Sequence, residues 1–491
     1  MRCSPRRFAP LAALALLTLL AGGLPAAPTG DYVVLGWNDL GMHCMNLNHA
    51  HFSILPPYNT LWAQVILRGD AATPPQLVTA GVTLEYSIPG NTYSVGKTDF
   101  WTYAPQLFGV NLPDDVGLAG KGLTGTLDPS GTAWVAEGIP LTPFPDDDLI
   151  HEHPYQQAEL NLKDGAGAVV FTSRPVLPVS TEVNCVSSGC HSSEQAILNS
   201  HEREDGFDPN ATPILCAGCH GDPILGTAPV GEAGYFSYRI HKKHKFIDET
   251  IPGIAGCEKC HPGPNTHCLR GTMATDHGMV CQDCHGDMHQ MYSSIAGGRT
   301  PWLEEPACRD CHTSQFGEPV GQLYRNSTGH GGVRCEGCHG SPHAILPSRV
   351  AADNANNLDL QGHAGVLDDC TVCHRVVPAG SGPHGVQGAT AVEMELTRDA
   401  DRLLVYPSPL RRGASCTVKS LAKTLPAGRL LVFDAAGHTI RLLQAGQDGD
   451  GHLLASWDGR DRRGAPVPTG VYFVRWDDGQ HRATGKLLVV E

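Results

Sequence analysis

Between Cys216 and His374 the pattern Cys-x-x-Cys-His occurs six times, at Cys216/Cys219/His220, Cys257/Cys260/His261, Cys281/Cys284/His285, Cys308/Cys311/His312, Cys335/Cys338/His339 and Cys370/Cys373/His374. A seventh copy, Cys185/Cys190/His191 in CVSSGCH, has two extra residues between its cysteines. Successive motif histidines stand only 24 to 41 residues apart. Intervals that short fall near or below the size, about 40 residues, under which a segment usually needs a cross-link or metal to fold. Two thiols followed at once by a histidine are suited to covalent haem attachment. The thiols add across the two vinyl groups, and the histidine is held under the iron as proximal ligand. Seven covalently attached haem c groups are therefore expected, six on CxxCH and one on CxxxxCH. They are expected to form the core of an irregular, mostly helical or loop domain over residues 181–387. Zinc is the first competing reading, but zinc pairs such cysteines two by two and needs no histidine after each second cysteine. Disulfides are the other, since exported cysteines usually oxidise.

Outside the motifs the same segment holds His201, His241, His244, His267, His277, His289, His330, His343, His363 and His384, ten candidates for seven distal positions. The preferred set is His201, His244, His277, His289, His330, His343, His363 and His384. His289 follows His285 by four residues, and His343 follows His339 by four. A residue so close to a proximal ligand starts on the wrong face of its own macrocycle, so each is expected to serve a neighbouring iron. Two histidines per iron leave no position for substrate and favour electron transfer over catalysis. The alternative is a multihaem oxidoreductase acting at one five-coordinate iron. No catalytic residue is assigned.

The remaining chain divides by composition. Arg2, Arg6 and Arg7, an apolar run from Leu11 to Leu20 and the small-residue stretch GGLPAAP have the layout of a secretory leader, expected over residues 1–27. That run is too short to span a bilayer, and no later segment comes close. The protein is thus expected to be exported, periplasmic or at the cell surface, and not membrane-spanning. Residues 28–180 read as strands, with alternating runs around the turn signal DGAG, and predict a β-sandwich-like domain. A linker is expected over 388–402, and short strands between Gly, Asp and Pro turns predict a second sandwich over 403–491. The formal charge of −15 makes nucleic acid an unsuitable partner. It suits solubility, or docking to basic redox proteins.

The segment from Cys185 to His384 resembles the multihaem c-type cytochromes of bacterial respiratory and extracellular electron transfer. That resemblance implies other redox proteins or an extracellular electron acceptor as partners, and for the oxidoreductase alternative a small nitrogen or sulfur compound as substrate. Enzymes of that group often replace one motif histidine by lysine, and none is replaced here. The C-terminal stretches LLVFDAAGHTIRLL, WDGRDRRGAPVPTGVYFVRW and GKLLVVE resemble the Ig-like domain of the flagellar hook-capping protein. The opening Tyr406, Pro407, Ser408, Pro409 and Leu410 is similar to that of type IX sorting modules, which implies attachment at the cell surface. Near the N-terminus Met42, His43, Cys44, Met45, His49 and His51 lie together. A buried structural thiol with incidental histidines is the preferred reading, with a distal haem ligand or a copper site as alternatives. Cys268 is left as a free thiol or a disulfide partner of Cys44, and Cys416 as an ordinary buried residue.

Overall fold

The computed structural model describes residues 30–201, 207–251, 253–263, 265–377, 379–380, 382–385, 403–406, 410–423, 428–434, 439–448, 451–477 and 482–490. The leader over 1–27, the linker over 388–402, and Pro407, Ser408 and Pro409 lie outside the described residues.

The N-terminal region is built from sheets. In one, Tyr32–Trp37, Asn59–Leu67, Ala133–Ile139 and Asp128–Ser130 lie in that order, with Gln76–Val78 pairing beside Asn59–Leu67. In another the order is Val169–Ser173, Glu159–Lys163, Thr83–Ser87 and Thr124–Thr126. Val34, Leu61, Val65, Leu84, Leu160 and Leu162 are wholly buried between them and form the main core. The DGAG stretch turns as its composition requires. Asp164 Oδ1 accepts from the amides of Ala166 and Ala168, and Gly167 supplies a left-handed residue at φ 84°.

The run YVVLGW does not alternate as a one-sided strand would, and the structure shows why. Val34 faces the main core, whereas Val33, Leu35 and Trp37 face the opposite way. On that second face, with Ile66, they pack against Leu360 and Val372 of the Cys-rich segment. Both faces of the strand are covered, which favours a continuous apolar run.

The expected fold class is overturned over the middle of the chain. The protein is mostly β-sheet, only about 22% helical, and residues 181–387 do not form a helical, haem-cored domain. The helices there are short. Ala351–Gln361 has 11 residues, Phe236–His244 and Met288–Ala296 nine each, and several only four or five. Helix nucleation is costly, and the frequent Gly and Pro in this segment prevent propagation beyond a few turns. The segment instead shares its apolar contacts with the N-terminal sheet.

Polar ties fasten the two regions. Ile214–Leu215 pairs in parallel with Phe52–Ser53. The amide of Gln64 donates to Gly332 O at 3.2 Å, and its carbonyl accepts from Arg334 N at 2.8 Å. Arg68 donates to Thr371 O at 2.7 Å. The carboxylate of Glu182 accepts from the backbone amides of Gly263, Asn265 and Thr266.

The C-terminal unit is a pair of sheets. One orders Leu403–Tyr406, Cys416–Lys423, His452–Trp457 and Ala445–Gln447, and the other Leu410–Arg411, Arg482–Val490, Gly470–Asp477, Arg429–Asp434 and Thr439–Leu443. Trp457, Trp476, Val418, Val474 and Leu487 fill its core, with Cys416 buried among them. Among the described residues no helix is long and apolar enough to cross a membrane.

Candidate haem-binding site

Each motif closes on itself in one helical turn. The amide of the histidine donates to the carbonyl of the first cysteine at 2.9 Å in His220→Cys216, His261→Cys257, His312→Cys308 and His374→Cys370. Cys281–His285 and Cys335–His339 are five-residue helices. Four residues of helix bring the first cysteine and the histidine onto one face. The longer motif reaches the same closure differently. His191 N donates to Cys185 O at 3.2 Å, and Gly189, at φ 80°, absorbs the two extra residues in a left-handed turn. All fourteen motif cysteines are free thiols. Among the described residues no group of three or more Cys, His, Asp or Glu side chains converges as a zinc or copper site would require.

The motif thiols are not all enclosed, as cysteines at the centre of a haem-cored domain would be. Cys190, Cys219, Cys284 and Cys311, each the second cysteine of its motif, are exposed, and so is Cys370. Cys185, Cys216, Cys257, Cys260, Cys281, Cys308, Cys335, Cys338 and Cys373 are half-buried. The segment lays apolar residues such as Leu360 and Val372 on the N-terminal sheet, and in these four motifs the second thiol falls at the solvent edge. Exposure leaves such a thiol accessible to covalent chemistry.

The histidines are brought together in pairs. Ring centres lie 6.0 Å apart for His191 and His244, 6.2 Å for His220 and His201, and 6.2 Å for His261 and His241. They are 6.1 Å apart for His285 and His343, 5.9 Å for His339 and His384, and 6.1 Å for His374 and His330. Every pair joins one motif histidine to one outside the motifs, and no histidine is used twice. Two imidazoles that ligate one metal from opposite sides, each through a bond of about 2 Å, place their ring centres roughly 6 Å apart. The spacing therefore fits a metal held between the rings.

The ring nitrogens are arranged to match. Nδ1 faces a backbone carbonyl in His201 (Ile197, 3.3 Å), His220 (Ala233, 3.1 Å), His241 (Ser237, 2.7 Å), His244 (Ile240, 2.9 Å) and His343 (Leu40, 3.1 Å). A carbonyl only accepts, so Nδ1 carries a proton and Nε2 is the nitrogen turned to a metal, the usual arrangement of a ligating histidine. Burial holds His220, His241, His339 and His374 below the ordinary imidazole range, which favours the neutral, ligating form.

Phe236–His244 supplies two of these rings three residues apart, His241 to His261 and His244 to His191. His343 faces His285 and not His339, four residues before it. His289 is exposed, with its ring 5.0 Å from Tyr292. His363 is exposed and pairs with Asp368 at 3.2 Å, and His277 is exposed. Of the preferred distal set, His201, His244, His330, His343 and His384 thus meet a motif ring. His277, His289 and His363 do not, among the described residues. His241 does, and its signal in the sequence was its place three residues before His244 on a short basic helix.

A cleft of about 440 Å³ is lined by Tyr58, Leu107, Phe108, Leu215 and Ile224. The Met42–His51 cluster is dispersed. His43 Nδ1 meets Tyr58 O at 2.8 Å, His49 Nδ1 meets Ser53 Oγ at 3.0 Å, and His51 pairs with Glu194 at 3.0 Å. Cys44 and Cys268 are both free, and Cys268 Sγ lies 3.6 Å from His343 Nδ1.

Residues 408–485 match the family of FlgD Ig-like domains. No curated protein matches the chain. Among solved structures, one likeness is to PorZ of Porphyromonas gingivalis, described as an essential bacterial surface component of the type IX secretion system. It has 19% identity and a TM-score of 0.15, and covers 23% of this chain and 16% of that one. Another is to the Ig1 domain of mouse SynCAM 2, with 13% identity and a TM-score of 0.13, covering 18% of this chain and 94% of that domain. The chain thus spans only a small part of PorZ, and neither likeness extends beyond about a quarter of its own length.

Proposed function

We propose that this protein is an exported multihaem c-type cytochrome that passes electrons between redox partners, with haems attached at the seven motifs. Bound haem would supply an iron that cycles between ferric and ferrous states. The observation that carries the reading is the set of six histidine pairs, each uniting a motif histidine with a distant one at the spacing of two ligands on one metal. In each pair the two histidines would hold the iron between them, which would leave no room for substrate and would suit electron transfer. Carbonyls hold five of these rings in one orientation, so at those centres little rearrangement would accompany a change of charge. The C-terminal Ig-like unit would attach the protein at the cell surface, and the leader-like N-terminus supports export.

The test is expression with haem-attachment machinery, followed by intact mass and a reductive titration. Seven haem increments and a predominantly low-spin spectrum that titrates over several potentials are expected. A protein exported and folded with none would sink the reading.

A further inference from the structure

We infer that the centre attached at Cys308, Cys311 and His312 is open on its distal side and takes a small exogenous ligand with a lone pair for iron. This rests on the haem reading above. Among the described residues no second imidazole stands about 6 Å from His312, although six of the seven motif histidines have one. Of the four histidines left over in this segment, His267, His277, His289 and His363, two are engaged elsewhere. His289 lies against Tyr292, and His363 pairs with Asp368. Cys311 and His312 are themselves exposed, so the centre borders solvent.

A second, independent feature marks the same place. Glu318 is only 4% exposed, yet its Oε2 has no hydrogen-bond partner. The Cys308 thiol lies beside this carboxyl, and thioether formation would consume its S–H. A buried carboxylate is then left without a donor at the edge of this centre, which is costly unless a ligand or water supplies one. The surrounding backbone fixes its position. Gly317 passes so close to Arg309 that a Cβ would fall 2.4 Å from the Arg309 Cα, and Arg309 Nη1 donates to Pro319 O at 2.6 Å. The carboxyl of Glu318 is thus held beside this centre, where its charge would act on the binding of an incoming ligand.

The test uses the full-length haem-loaded protein, with carbon monoxide on the reduced form and cyanide on the oxidised form. One equivalent of each per chain is expected, together with a high-spin ferric signal from about one iron in seven. Replacing both Cys308 and Cys311 by alanine should remove one haem by mass and abolish binding, whereas H384A should raise it to two equivalents. Glu318→Gln should keep the stoichiometry and shift the cyanide dissociation constant several-fold. Seven attached haems with a wholly low-spin spectrum and no binding would overturn the inference while leaving the haem reading intact. So would binding retained in the six-haem variant. An unchanged cyanide affinity in Glu318→Gln would remove that carboxyl from the site. Failure of haem attachment altogether, read by mass, would count against the proposed function.

Discussion

His343 and His289 stand in similar sequence settings, each four residues after a motif histidine, yet only His343 is aimed at another motif's ring. Its Nδ1 is held by Leu40 O, from the N-terminal region, and this contact is invisible to any count of spacing. His343→Ala should leave all seven haems attached, turn one centre high-spin and raise its potential, because loss of an axial imidazole weakens stabilisation of the ferric state. His289→Ala should leave both the spectrum and the potentials unchanged. Electron paramagnetic resonance and a redox titration separate the two. A different residue gives a pH dependence. His49 is fully buried against Phe100, and burial holds its pKa down to about 4, below the ordinary 6.5. Above pH 6.5 the imidazole is neutral folded or unfolded, and the fold keeps its full stability. As pH falls from 6.5 towards 4 the unfolded chain takes up a proton that the native state refuses, so stability is lost, by about 3 kcal/mol at most. Denaturation midpoints measured across that window should fall less steeply in His49→Gln than in the parent protein.

Among the elements, the helix Ala351–Gln361 depends most on contacts made outside itself. Its Asp353 receives Arg270 Nε at 2.7 Å and Nη2 at 2.8 Å, and Arg270, wholly buried, also donates to Gly41 O at 2.6 Å. One guanidinium thereby joins this helix, the Cys268 loop and the N-terminal region. Truncating one partner strands the other charge away from water, so Asp353→Ala should cost about 3–5 kcal/mol. Urea unfolding checks the magnitude. The strands of residues 30–180 could be read from their apolar runs and turn residues, because those signals are local. Several helices of the middle segment could not, since they are only four or five residues long and held by a neighbour or a motif turn. The same cause explains the failed expectation of a helical domain. Cys, His, Gly and Pro enrichment says that ordinary periodicity is missing, but not what replaces it.

At the scale of the whole molecule, the C-terminal unit has a separate core in which Trp457 and Trp476 are each about 1% exposed. A fragment of residues 403–491 should therefore fold alone and unfold cooperatively, with a red shift of tryptophan emission, and Trp457→Ala should cost it about 3–5 kcal/mol. A fragment already unfolded in buffer would show that the unit depends on the rest of the chain. The middle segment differs, because Val33, Leu35, Trp37 and Ile66 of the N-terminal sheet share a core with Leu360 and Val372. The sequence alone determined where the seven Cys–His turns lie and that the chain ends in an Ig-like unit, because both are written in contiguous residues. Only the tertiary structure decided which histidine faces which, why His241 is used and His289 is not, why thiols such as Cys190 and Cys219 stand at the surface, and that the Cys-rich segment rests on a β-sheet. Those outcomes depend on packing between residues tens to hundreds of positions apart, where spacing along the chain carries no information about direction in space.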